Sequence, residues 1–79
     1  MRISVEIGNF RNPEANEPCE VEFWCDREGL DYLIKHLQKL DESGDHMHLM
    51  TPSWGMDDLS EEKENESSCI AHHVKVSLL

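Results

Sequence analysis

Gly44-Asp45-His46-Met47-His48-Leu49-Met50-Thr51-Pro52-Ser53-Trp54-Gly55 reads as a strand running into an ordered loop. His46, His48 and Met50 fall on one side of that strand and Met47, Leu49 and Thr51 on the other, because side chains of an extended chain alternate. Pro52 ends the ladder, since it has no N–H to donate and biases Thr51 toward an extended conformation. Trp54-Gly55 then opens a loop held by one large ring.

On the N-terminal side of this stretch, Leu30, Leu33, Ile34, Leu37 and Leu40 recur at the spacing of an amphipathic helix. Asp26 is placed to cap its free N–H groups, and Glu28 adds negative charge where the helix dipole favours it. The pattern predicts one helix over residues 26–40, closed by Asp41-Glu42-Ser43-Gly44. Before it, Ile3, Val5 and Ile7 alternate with Ser4 and Glu6, and Cys19, Val21, Phe23 and Cys25 alternate with Glu20, Glu22 and Trp24. These are two strands of a long-looped hairpin, separated by a breaker-rich loop over residues 9–18. After it, Ile70, His72, Val74, Val76 and Leu78 form the apolar row of a last strand.

The expected fold is therefore α+β, ββαββ, with a four-stranded sheet and the helix on one face, in a single domain spanning residues 1–79. Ile3, Val5, Ile7, Val21, Phe23, Met47, Leu49, Ile70, Val74 and Val76 are expected to face the helix. Glu20, Glu22, Trp24, His46, His48, Met50, His73 and Lys75 are expected to face water. Residues 57–68 carry six acids against one lysine and no aromatic residue, the composition of a mobile acidic loop.

Seventeen acids against seven Lys and Arg give a formal charge of −10 in 79 residues. Such a field repels nucleic acid and speeds capture of a basic partner. Cys19, Cys25 and Cys69 match no zinc or redox spacing and read as small hydrophobes in a reducing compartment. No apolar run approaches the ~18 residues of a membrane span, and the alternating N-terminus is not a signal peptide. The expected location is the cytoplasm.

The run from Asp45 to Gly55, followed by Leu59-Ser60-Glu61, resembles the signature of the immunity protein 32 family, predicted antitoxins of bacterial polymorphic toxin systems. The likeness extends more weakly through Val21-Glu22-Phe23-Trp24-Cys25 and the leucine-rich segment at 30–40; residues 2–16 add little. Where the family pattern has a second glycine and a Glu-Leu pair, this chain has Met56, Asp57, Asp58 and Leu59. The resemblance implies a cognate toxin domain as partner, and it carries no catalytic or ligand-binding residue onto this chain.

The surface expected to meet that partner joins Trp24, Glu20 and Glu22 on the open sheet face with Asp57, Asp58, Glu61 and Glu62 in the acidic segment. Trp24 offers an apolar anchor and the carboxylates offer steering. Trp54 reads as a plug folding its loop back on the domain. His46, His48 and His73 share a face and have the chemistry of zinc ligands, but no fourth ligand is fixed and a polar strand face accounts for them. His72 reads as a satisfied core or edge histidine. No nucleophile turn or phosphate loop is present, so neither catalysis nor a cofactor is expected. Two alternatives to the antitoxin stand beside it: a homodimeric regulatory module paired through its open sheet face, and a small metal-binding protein.

Overall fold

The computed structural model describes residues 1–8 and 20–79; the loop expected over residues 9–18, and Cys19, lie outside the described residues. Alternation of apolar and polar side chains yields β1 (Ile3–Gly8) and β2 (Glu20–Cys25), which pair antiparallel with Ile3 opposite Cys25, Val5 opposite Phe23 and Ile7 opposite Val21. Asp26 caps the helix that follows, α1 (Arg27–Leu37), by accepting the Gly29 N–H at 2.7 Å. That bond holds the Asp26 carboxyl below its ordinary pKa. Gln38 and Lys39 form a turn, so the helix stops short of Leu40.

Gly29 sets how closely α1 approaches β1. A Cβ there would lie 2.6 Å from the Arg2 carbonyl oxygen and 2.8 Å from Ile3 Cγ1, closer than packed atoms allow.

The rest of the chain departs from the expected single sheet. β3 (His46–Met50) is followed by a 3-10 turn, Pro52–Trp54, and the last strand is divided into β4 (Cys69–Ile70) and β5 (His73–Ser77). One antiparallel sheet has the order β2-β1-β4, and β3 pairs with β5 in a second, antiparallel one. The division falls at Ala71-His72, where the chain changes partner: the Ala71 N–H donates to the Val5 carbonyl at 2.8 Å, and the His72 carbonyl accepts from the Thr51 N–H at 3.0 Å. Among the described residues the α+β class and the single α-helix stand, and two small sheets replace the four-stranded one.

Ile3, Val5, Leu49 and Leu59 form the buried core, with Tyr32, Leu33, Met47, Ala71 and Val74 packed against it. At about 100° per residue, Leu30, Ile34 and Leu37 lie on one flank of the helix, beside Leu33 and away from Tyr32. All three are exposed, Leu37 at 44%. Val21 and Phe23, expected under the helix, are likewise exposed at 57% and 54%. The narrow core explains this, because α1 seats over the start of β1 instead of spanning the hairpin. Leu37→Ala should therefore cost about 1 kcal/mol in urea unfolding, not the 2–5 of a buried leucine; a loss above about 3 kcal/mol would place Leu37 inside the core. No helix among the described residues is long and apolar enough to cross a membrane.

Candidate functional site

Cross-strand pairing puts Ser4 beside Trp24, Glu6 beside Glu22, and Gly8 beside Glu20, so these side chains line the face of the first sheet opposite Val5 and Phe23. This face is not open along β1. Ser4 and Glu6 are completely buried, because the acidic segment lies across them.

Glu6 is the anchor. One carboxylate oxygen accepts the Asn65 N–H at 3.0 Å and the Ser68 hydroxyl at 2.6 Å; the other accepts the Ser4 hydroxyl at 2.7 Å and the Glu64 N–H at 3.0 Å. Burial pushes its carboxyl pKa up, but the donors from Ser68, Ser4, Glu64 and Asn65 together outweigh burial and lower it from 4.5 to about 2. Asn65 also donates its side-chain N–H to Glu22 at 3.2 Å, tying the segment to β2. Leu59 is buried in the core, its N–H donates to the Met50 carbonyl, and the Ser60 N–H donates to the Ile3 carbonyl. The segment expected to be mobile is thus pinned at both ends. Its sparse apolar content hid these anchors, since backbone and carboxylate bonds supply them.

The clamp arranges the neighbouring charges. The Arg2 guanidinium lies 2.5 Å from Glu64 and 3.7 Å from Glu62, and Arg2 and Glu64 line a shallow cleft of about 320 Å³ with Trp24, Cys25 and Asp26. Trp24, exposed at 44%, is therefore grouped with Glu22 and Glu62 around one rim. Glu20 continues the same row of β2.

The remaining acids of the expected surface separate from that group. Asp58 is buried: it accepts the Tyr32 hydroxyl at 2.5 Å and the Met50 N–H at 3.4 Å, so it is an internal support and not a contact residue. Its hydrogen bond, with burial and the charges of Asp58 and Asp57, raises the Tyr32 pKa to about 12. Glu61 accepts the Ser53 N–H at 2.7 Å, and Ser53 is the main cause of its lowered pKa. Asp57 lines a depression with Pro52, Gly55 and Met56. Asp57 and Glu61 thus belong to the Trp54 turn.

That turn holds the second concentration of unusual side chains. Trp54 is mostly exposed and lies nearly parallel to His72 and His73 at centroid distances of 6.4 and 6.0 Å, so it covers imidazoles and does not plug the core. His72 bonds Thr51 Oγ1 through Nδ1 at 2.7 Å. His48 Nδ1 and His73 Nε2 are 2.8 Å apart in nearly parallel rings, one donating and the other accepting, and His46 meets His48 edge-on. Partial burial, then the nearby His46, His73 and Lys75, lower the His48 pKa. Among the described residues no group of three or more His, Cys, Asp or Glu side chains is placed to hold a metal ion.

The family model of immunity protein 32 matches residues 20–74, from the start of β2 into β5. The chain belongs to the immunity protein 32 family. No curated protein and no solved structure matches it. Within this immunity protein 32 domain, the match takes in α1, the His-Met-His strand, the Trp54 turn and the acidic segment, whereas β1, which supplies Glu6 and half the core, precedes it. Sequence reasoning missed the organising role of Glu6 and Asp58. An acid on the water side of a strand gives no sign that distant backbone N–H groups will cover it.

Proposed function

We propose that the protein is an antitoxin that binds a cognate toxin domain in the bacterial cytoplasm and neutralises it by occlusion, without chemistry of its own. The observation that carries this reading is the match to an immunity family over residues 20–74. The formal charge of −10 favours a basic partner. The contact surface we propose is the rim formed by Trp24, Glu20, Glu22 and Glu62, together with the separate acids Asp57 and Glu61 of the Trp54 turn. Trp24 is a large exposed ring beside a cleft, flanked by acids.

The reading separates steering from anchoring. Reversing Glu61 and Glu62 to lysine should slow association with the cognate toxin domain and flatten its salt dependence, while Trp24→Ala should mainly speed dissociation. Stopped-flow and surface-capture kinetics with that domain distinguish the two effects. If both variants bind and protect cells as the parent does, the contact surface lies elsewhere on the domain.

A further inference from the structure

The register of the second sheet sets His48 opposite Lys75 and Met50 opposite His73, so His48 and His73 meet on the diagonal, on the face away from Leu49 and Val74. Their Nδ1 and Nε2 atoms are 2.8 Å apart and the ring centres 5.0 Å apart. The difference is close to one ring radius on either side, so the two nitrogens point at each other edge to edge. A neutral pair keeps one proton between them, and a first added proton leaves that hydrogen bond in place with charge assistance. A second makes both rings imidazolium, in which every nitrogen is a donor, and sets N–H against N–H.

The surroundings do not relieve that clash. Lys75 across the strand pair and His46 edge-on to His48 are basic, and His36 and Lys39 share a depression with His46. The nearby acids are turned to other donors: Asp45 accepts the Asp41 and Glu42 N–H groups, Asp58 the Tyr32 hydroxyl, and Glu61 the Ser53 N–H. On the other side of His73 the Trp54 ring lies 6.0 Å away, and an indole face attracts a cation. We propose that His48 and His73 form a proton-operated latch across β3 and β5, closed until both rings are charged and then open, with His73 retained on Trp54 and His48 turned out to solvent. Opening adds two imidazolium charges to that of Lys75 and makes a cationic face on a chain of formal charge −10. Burial, then His46, His73 and Lys75, hold the His48 pKa below the ordinary 6.5, so the latch opens below that pH. The unfolded chain takes up the proton first, so this contribution to stability is present above 6.5 and is lost as pH falls below it, well above the range in which Glu6 acts.

NMR of the isolated protein tests this without any toxin, by following the histidine ring nitrogens from about pH 8 to about pH 5, the range in which histidine charges. His48 and His73 should titrate as one pair in two steps, the second proton bound at least about tenfold more weakly than the first. Nuclear Overhauser contacts between the two rings should persist through the first step and vanish with the second, while those between His73 and Trp54 remain. His73→Gln places an uncharged amide opposite His48 Nδ1. In that variant His48 should titrate in a single step, at a higher pH than the second step of the parent. A His48 titration that is the same single step in parent and variant, or contacts between His48 and His73 that survive both protonations, overturns the proposal.

Discussion

Glu6→Gln is expected to lose about 3 kcal/mol of stability although the side chain keeps its size, because each buried donor left without an acceptor costs ~1–3 kcal/mol and the surviving bonds lose their charge assistance. All four partners of the carboxylate act as donors. A glutamine offers one oxygen and one NH2 group. The Ser4 or Ser68 hydroxyl can turn to accept from that group; the backbone N–H of Glu64 or Asn65 cannot. In either amide orientation one main-chain donor is orphaned.

The same carboxylate gives the fold an acid dependence of defined sign. Its pKa is about 2 in the folded protein against an ordinary 4.5, so its contribution is complete above about 4.5 and is lost as pH falls from 4.5 toward 2. Asp26, Asp45 and Glu61, also lowered, act in the same direction. Urea unfolding across that range should show stability falling with acid in the parent and a flatter profile in Glu6→Gln. Equal slopes would mean that Glu6 is not the clamp.

Leu59→Ala should cost about 2–5 kcal/mol, the range for truncating a buried leucine. Leu59 is 2% exposed and joins Ile3, Val5 and Leu49 in a core of few side chains, where little can move to refill the space. The consequence extends beyond stability, since the neighbouring Leu59 and Ser60 N–H groups connect the acidic segment to β3 and β1. Limited proteolysis should then cut within residues 60–68 sooner than in the parent. A variant that keeps its denaturation midpoint would remove Leu59 from the core.

The strands and the helix cap were legible because they rest on local rules. Alternation placed β1, β2 and β3, and a lone aspartate before a leucine-rich stripe placed the start of α1. The partition of the last strand was not legible. Ile70 to Leu78 alternates without a break, and only the competing partners Val5 and Thr51 divide it at Ala71-His72. The stripe on α1 also overstated burial, as periodicity shows which residues share a face and not whether the rest of the domain is wide enough to cover them. For the candidate site, Trp24, Glu20 and Glu22 followed from alternation and share one row. Asp58 could not be told from its exposed neighbour Asp57 without Tyr32, which is 26 positions away in the chain. Glu6 draws on partners as many as 62 positions away, beyond the reach of any local pattern.

The antitoxin reading is tested most directly by co-expressing this protein with a candidate toxin domain taken from a neighbouring open reading frame, then isolating the pair by size exclusion. The expected result is survival of cells that the toxin alone kills, together with a stable complex whose toxin is inactive until this protein is removed. Cells that die at the same rate with and without it, and toxin that elutes alone and fully active, would contradict it.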